Sequence, residues 1–498
     1  MNTEGSANTE INFGRQRILV DYDEVTSQNV IEVLEKAIKI HEENASDCDY
    51  LINYFLGDQD ILYRESSSTS NINNKTVVNH AFPITREIVG YTLGSPVEFV
   101  AKNNRQDQVQ IINDSYDYES VNTTDMCAAV YASICGVGYY ITLPSTEITK
   151  DNTPEVPLVV DYLDPRSTFV VQSNTIGTPQ IMSCTIIETE EHTYHICYTD
   201  QYRLTVEDME KVTVESNPIG KDPITMLENS LFLTGDWEQA ISVMNATNLV
   251  ASDSLNDIEG TIRSLLVITG TEFEEGKEDE SLQNIKSNRL LTLVAPNGTN
   301  VDAKFISPLL ESASVQNIRE YLDEARNIIT GIPDRENNAS GGDTGTAVLN
   351  RNGWTDIEIV ARFKEMFIKK ARKKQLEVGL AILKTLNLVE DDMRVLDVDI
   401  TIGRHTTDNL STKTTAFSTL VATGELATID ALELSGLTNR TNEMVERGKL
   451  AKKERQEEAI AMAKEAADAS GEGADTNGAN KTAEVEKAAA GNNKTEQK

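Results

Sequence analysis

Histidine and cysteine side chains, the usual ligands of zinc, come closest together between residues 184 and 197. His192 and His195 lie three residues apart in a segment with the pattern of a strand, and Cys184 and Cys197 lie on either side of them. Because alternate residues of a strand share a face, the two histidines point to opposite sides of the sheet and cannot bind one ion together. We therefore predict packed or surface histidines here and no metal site.

The sequence contains no recognisable nucleotide-binding or hydrolytic motif. The glycine-rich segment 340–345 lacks the Gly-Lys-Ser/Thr end of a phosphate-binding loop and follows no predicted strand, so we expect a flexible loop between helices. The acidic segment 272–280 lacks the spacing of a calcium loop and is expected to be a solvated turn. There is no Gly-x-Ser-x-Gly elbow and no His-Glu-x-x-His pair. The sequence therefore predicts no catalytic residues and no cofactor.

Composition narrows the possible functions further. The 498 residues include 80 acidic and 45 basic side chains, for a net charge of −35. This excess argues against a protein that binds nucleic-acid phosphates over its surface. The longest apolar runs, such as 265–268, are far shorter than a bilayer crossing, and the first residues do not resemble a signal peptide. Five scattered cysteines without a CxxC pair indicate reduced thiols in a cytoplasm.

Two long helices carry apolar stripes with the spacing of a heptad repeat. The first stripe consists of Trp237, Ile241, Met244, Ala251, Leu255, Ile258, Ile262 and Leu265, and is interrupted only at Asn248. The second consists of Val315, Ile318, Leu322, Ala325 and Ile329. Each stripe is a seam for another helix. The residues between them have strand-like runs at 265–269, 289–294 and 305–306, so we predict a helical stalk that carries a small β-rich knob.

The rest of the chain mixes helices and strands, as is typical of α+β proteins. Residues up to about 26 are polar and weakly patterned and are interpreted as an arm, and 50–57 is interpreted as an aromatic turn after a helix. Short β-rich runs between 156 and 214 predict a meander. Gly331 and Pro333 are expected to end the second stalk helix.

A helix of more than 30 residues is predicted over 355–387, and it holds the one basic cluster of the chain. The cluster consists of Arg362, Lys364, Lys369, Lys370, Arg372, Lys373 and Lys374. A solvated or subunit-facing side is favoured over a DNA clamp, because acidic neighbours can neutralise the cluster. A strand at 395–401 and helices at 412–420, 429–435 and 440–467 follow, and the chain beyond 470 is expected to be disordered.

The segment 229–270 resembles the siphovirus-type portal proteins of tailed bacteriophages. Its matching features are, in order, Asn229, the turn Gly235-Asp236-Trp237-Glu238, a long helix with the step Asn256-Asp257-Ile258-Glu259, and a strand that ends at Gly270. Three further stretches, 50–57, 79–96 and 329–349, are similar to the same family in order and spacing.

The resemblance implies an α+β portal fold with wing, stem, clip and crown, assembled as a ring that typically has twelve subunits. On this sequence the regions would be an arm (1–26), wing (27–236), first stem helix (237–264), clip (265–312), second stem helix (313–331), tunnel loop (332–347), the long helix and strand of the wing (348–410), helical crown (411–470) and a disordered tail (471–498).

The resemblance also implies a function, which is the passage of double-stranded DNA through the ring at one capsid vertex during packaging and ejection. The implied partners are further copies of the chain, the terminase large subunit, a head-to-tail adaptor, and the major capsid and scaffold proteins, with no membrane. The protein would be a component of the virion that is assembled in the cytoplasm of a host bacterium.

The resemblance places residues of this chain in three sites. The tunnel loop would contain Asn338, Ser340, Gly341, Gly342, Asp343, Thr344 and Gly345. The partner-binding surface of the clip would contain Glu272, Glu274, Glu275, Glu278, Asp279 and Glu280. The stem assembly contacts would contain Met244, Ala251, Leu255, Ile258, Ile262, Ile318 and Leu322. The alternative hypothesis is an acidic minor head or scaffold-type assembly protein that has no DNA channel.

Overall fold

The computed structural model of the protein describes residues 13–65, 72–102, 105–145, 156–262, 265–269, 302–306, 312–333, 354–403, 410–422, 428–435, 448–449, 451–453 and 455. The chain forms two compact units, Met1–His405 and Thr406–Lys498. Within the described residues, the structure contains no helix that combines the length and apolar character needed to cross a membrane.

The first unit combines helices with several small sheets. Its described helices are α1 (Val30–Leu56), α2 (Ala81–Leu93), α3 (Gln106–Tyr118), α4 (Val121–Cys135), α5 (Ile241–Ile262), α6 (Ser312–Thr330) and α7 (Trp354–Thr385). Its described strands are β1 (Ile18–Val20), β2 (Val97–Ala101), β3 (Val137–Pro144), β4 (Leu158–Leu163), β5 (Thr168–Ser173), β6 (Gln180–Glu188), β7 (Thr193–Tyr198), β8 (Tyr202–Glu207), β9 (Lys211–Ser216), β10 (Ile224–Glu228), β11 (Leu265–Thr269), β12 (Asp302–Ile306) and β13 (Val398–Ile402). This mixture confirms the α+β class.

The largest sheet has six strands in the order β1-β5-β6-β7-β8-β9. From β5 to β9 each strand pairs antiparallel with the next, which confirms the predicted meander from residue 168 onward. The first run of the predicted meander is wrong, because β4 pairs with β3 in another sheet. Buried side chains of this sheet, including Phe169, Met182 and Leu204, pack with Leu34 and neighbouring apolar residues of α1. The apolar residues at the start of α1 therefore pack against the sheet and cover it.

Two expectations for the N-terminal region are wrong. Residues 18–20 do not belong to a free arm, because β1 pairs parallel with β5 and buries Ile18 and Val20. The strand was missed since three residues give too short a period to stand out. The aromatic segment 50–57 is not a turn, because α1 continues through it to Leu56 and ends at Gly57, which has a φ of 105°.

A second core lies between the smaller sheets and the helices. The sheets are β10-β3-β4 and β13-β2. The helix α3, which the sequence analysis did not predict, joins this core through Val109, Ile112 and Tyr116. Only these few apolar residues mark its buried face among many polar ones, so its helical pattern is weak.

The basic run of α7 is neutralised largely inside the chain. Arg372 is fully buried, forms an ion pair with Asp125, and lies over the rings of Tyr116 and Tyr140 at 5.5 and 5.1 Å. The expectation of a solvated or subunit-facing side is therefore wrong for Arg372. Acidic neighbours do neutralise the run, as the sequence analysis expected, although the partner of Arg372 is buried.

The predicted stalk and knob correspond to α5, β11, β12 and α6. The two helices pack against each other, and β11 pairs antiparallel with β12. Helix α6 ends as predicted, because Gly331 has a φ of 70° and the amide of Ile332 donates to the carbonyl of Asn327.

The second unit contains the described helices α8 (Leu410–Ala422) and α9 (Thr428–Ser435), close to the two predicted positions. Most of the predicted helix at 440–467, and the tail after 470, lie outside the described residues.

We predict that the first unit loses stability in mild acid because of His41. Its ring lies 4.6 Å from the ring of Phe169, and burial lowers the pKa of His41 to about 4. The unfolded value is about 6.5, so the stabilising preference for the neutral form is lost as pH falls from about 6.5 to about 4. We expect His41 to lower the free energy of unfolding by about 2 kcal/mol between pH 7 and pH 5.

Urea unfolding at pH 7 and pH 5 measures the free energy of unfolding of the wild type and of His41→Gln. We expect this free energy to fall less in His41→Gln than in the wild type. The matched control is His192→Gln, because the carboxylate of Asp208 raises the pKa of His192. That histidine stabilises the fold at low pH, and its contribution disappears as pH rises through its folded pKa. An equal pH dependence in the wild type and His41→Gln would contradict the prediction.

Candidate assembly surface on the stalk helices

The turn before α5 is fixed by a buried carboxylate. Glu238 is fully buried and accepts hydrogen bonds from the guanidinium of Arg15 and from the amides of Gly14 and Gly235, each at 2.7 Å. Burial raises the pKa of Glu238, and Arg15 opposes this rise. Removing one partner of a buried ion pair typically costs about 3–5 kcal/mol. The start of the stalk is thus tied to the N-terminal segment of the chain.

The two residues before Glu238 attach the same turn to four other elements. The indole of Trp237 stacks on Tyr54 of α1 and donates to the hydroxyl of Thr85 in α2 at 2.9 Å. Asp236 accepts from Ser133 of α4 at 2.6 Å and pairs with Lys364 of α7 at 2.8 Å. Four helices therefore meet at this turn.

The close approach of two backbones at this junction requires glycine. Gly136 has a φ of 82°, and a Cβ there would overlap the carbonyl oxygen of Leu233. Any other residue would separate the end of α4 from the turn that leads into α5. The glycine at this position therefore follows from the geometry of the junction.

A ladder of polar side chains fixes α5 further along its length. The amides of Val78, Thr76 and Asn74 donate to side-chain oxygens of α5 at 2.7, 2.9 and 2.7 Å. The acceptors are Asn248, Ser252 and Asn256. Four residues of a helix rise about 6.0 Å, and two extended residues rise about 6.6 Å. The amides of alternate residues in segment 72–80 therefore match successive turns of α5.

This ladder explains why the heptad stripe of α5 is interrupted at Asn248. The side chain of Asn248 is fully buried, and its amide also donates to Gln59 at 2.6 Å. An apolar residue at this position would leave the partly buried amide of Val78 without its acceptor. The sequence shows the interruption but not its cause, because the backbone partner lies 170 residues away.

Helix α6 is joined to the same region by a histidine. Nη1 of Arg326 lies 2.8 Å from Nε2 of His80, the residue before α2. Burial, and then the charge of Arg326, lower the pKa of His80 to about 4. His80 is therefore neutral near pH 7 and can accept this hydrogen bond.

The predicted stem contacts fall into two groups within the single chain. Met244 and Ala251 are buried, whereas Leu255, Ile258 and Ile318 remain 43, 55 and 49% exposed. Leu322 is half-buried, and the side chain of Ile262 lies outside the described residues. The buried group packs near the junction. The exposed group lies on the parts of α5 and α6 that are nearer to the knob along the chain, and we name Leu255, Ile258 and Ile318 the stalk surface.

The long helix α7 continues this division of apolar residues. Leu376, Leu380 and Leu383 are buried in the second core, whereas Ile359, Phe363 and Met366 are exposed. The spacing of these residues in the sequence predicts one broad apolar face. Only the second half of that face is covered by the chain itself.

A polar cluster that the sequence analysis missed lies at the tips of two hairpins. Nδ1 of His192 lies 2.6 Å from Asp208 and 3.6 Å from Glu207. The separate expectation for His195 fits its position, because it is buried and does not share a site with His192. Cross-strand neighbours of this kind become visible only once the strand register is known.

Two of the three predicted sites lie outside the described residues. These are the tunnel-loop residues Asn338 to Gly345 and the clip residues Glu272 to Glu280. The stem residues are the predicted site that the structure places, apart from the side chain of Ile262.

Comparison with known proteins identifies a protein family and many similar solved structures, of which two follow. A family model for phage portal proteins of the SPP1 Gp6-like type matches residues 34–459. Structures titled as the neck of a native GTA particle with C12 symmetry and the neck of an empty GTA particle with C6 symmetry are each 10% identical, with TM-scores of 0.43. The first match covers 72% of this chain and 89% of the other, and the second covers 79% and 94%. No curated protein matches the sequence.

We predict that Asn248→Leu destabilises the protein, although leucine fits the heptad pattern better. The substitution leaves the partly buried amide of Val78 without an acceptor and the buried side-chain oxygen of Gln59 without this donor, which should cost about 1–3 kcal/mol. The measurement is the free energy of unfolding in urea. Leu249→Asn is a control on the neighbouring exposed position and should change stability less. A more stable Asn248→Leu variant would show that the ladder does not hold α5.

Proposed function

The chain belongs to the SPP1 Gp6-like phage portal protein family, and we propose that it forms a closed ring of about a dozen subunits at one vertex of the capsid. Double-stranded DNA passes through this ring during packaging and ejection. The role is structural and requires no catalytic group. The protein is then a component of the virion.

The observation that carries the ring proposal is the stalk surface. An acidic, strongly charged chain keeps Leu255, Ile258 and Ile318 exposed on helices that are themselves firmly attached to the rest of the fold. Burying one such side chain is worth about 1.5–3 kcal/mol. The stalk helices of the neighbouring subunits are the proposed cover, and the exposed residues of α7 extend the same interface.

The acidic composition suits a channel that must not hold DNA. Two like charges 10 Å apart in water repel by about 0.4 kcal/mol before screening, and salt reduces this further. Acidic groups facing the channel would therefore keep the duplex centred without large barriers. A basic wall would bind the phosphates and release counterions at each contact. The repulsion between subunits must be offset by apolar packing at their interfaces.

The remaining parts receive roles by their position in the chain. We propose the knob that contains β11 and β12 as the clip, where the terminase large subunit docks first and the head-to-tail adaptor docks later. The acidic segment 272–280 would face these partners, and the loop 338–345 would face the DNA. The wing surface would contact the major capsid and scaffold proteins.

We predict that Ile258→Asp prevents ring formation while the subunit stays folded. The loss of apolar burial is about 2 kcal/mol per interface, which weakens each contact about 30-fold. The carboxylate adds a desolvation cost if it is buried. The measurement is native mass by light scattering or mass spectrometry, with negative-stain images of the particles.

The matched control is Ile176→Asp, which makes the same change at a fully exposed residue between β5 and β6. Wild type and control should form rings with an axial hole wide enough for a duplex. If Ile258→Asp formed a ring of normal mass, the stalk surface would not be a contact between subunits. A wild-type protein that stays monomeric at high concentration and with magnesium would favour a scaffold-type assembly protein.

A further inference from the structure

Two cysteines face each other inside the six-stranded sheet. Cys184 of β6 is the register partner of Cys197 of β7, and their sulfur atoms lie 3.3 Å apart. Both side chains are fully buried, and both are free thiols. In the sequence the five cysteines are scattered, with no CxxC pair. The fold brings these two together because the hairpin between them pairs without a register shift.

The type of strand pair that they form can be derived from backbone hydrogen bonds. At the hairpin end the amide of Thr189 donates to the carbonyl of His192. Hydrogen-bonded and non-hydrogen-bonded pairs alternate along an antiparallel ladder, and Cys184–Cys197 lies five pairs further on. Independently, the amide of Ile186 donates to Ser167 on the β5 side and so points away from β7. Cys184–Cys197 is therefore a non-hydrogen-bonded pair.

Pairs of this type have Cα atoms about 4.5 Å apart, within the range of about 4.4–6.8 Å found for disulfides. The sulfur atoms need to approach by little more than 1 Å to reach a bond length of about 2.0 Å. Their surroundings are the apolar residues beneath α1, including Phe169 and Met182. The backbone can therefore accept a bond without moving the strands apart.

We propose that Cys184 and Cys197 are an oxidisable pair that a peroxide converts into a cross-strand disulfide. One thiol takes an oxygen atom from the peroxide and becomes a sulfenic acid, releasing water when the oxidant is hydrogen peroxide. The sulfur of the second thiol then attacks the first, the S–S bond forms, and a second water leaves. The two sulfur atoms together lose two electrons to the peroxide.

Burial controls when this reaction occurs. Burial raises the pKa of Cys184 well above its usual value, so the reactive thiolate is scarce in the closed sheet. The peroxide reaches the pair when the hairpin opens locally. A reducing compartment keeps the dithiol form, and an oxidising environment outside it fixes β6 to β7. This inference is independent of the proposed ring.

The test uses the full-length protein in a Cys127→Ser background, since Cys127 is partly exposed and can crosslink subunits. The protein is incubated with hydrogen peroxide, digested without reductant, and mapped by mass spectrometry. We expect a fragment that joins Cys184 to Cys197 and is separated by dithiothreitol. We also expect the oxidised protein to melt about 5 °C higher than the reduced one.

Two variants distinguish this pair from the other buried cysteines. Cys184→Ser should abolish both the linked fragment and the rise in melting temperature, whereas Cys48→Ser should keep both. The peptide map of the background protein needs no variant, so a misfolded Cys184→Ser protein would not affect it. A map without the linked fragment after incubation with excess hydrogen peroxide at a temperature just below the melting transition would overturn the proposal.

Discussion

The attachment of α5 depends on burying polar groups without leaving any of them unpaired. An isolated carboxylate such as that of Glu238 would be far too costly in the interior, so its position requires Arg15 and two backbone amides to be present at once. These partners come from opposite sides of the junction. The start of the stalk therefore keeps this geometry only while the N-terminal segment is in place.

Helix α5 has a polar face that contacts segment 72–80 and apolar residues that remain exposed. Its polar face contacts segment 72–80 through directional hydrogen bonds, and these set the rotation of the helix about its axis. Its apolar residues Leu255 and Ile258 are left on the outside. Since hydrogen bonds fix orientation more strictly than apolar contacts do, the polar face determines where the apolar one points.

The periodic spacing of apolar residues is sufficient to predict the long helices. The side-chain contacts between elements require the strand register and the tertiary structure. The two stalk helices were predictable because a heptad stripe persists over several turns, and the end at Gly331 followed from the glycine and proline alone. The strand β1 was not predictable, because three residues are too few to show a periodic pattern. The roles of Asn248 and of the Cys184–Cys197 pair depend on partners from distant or neighbouring segments. The alignment of those segments is set by packing that no local pattern encodes.

The arrangement of the ladder also determines how the stalk bears mechanical load. Its three hydrogen bonds lie across the axis of α5 and are spread along it, so a force along the axis loads them in shear, all together. A force that peels segment 72–80 away from one end would break them one after another and would meet much less resistance. The joint between segment 72–80 and α5 is therefore stiff against sliding along the helix axis and compliant to peeling.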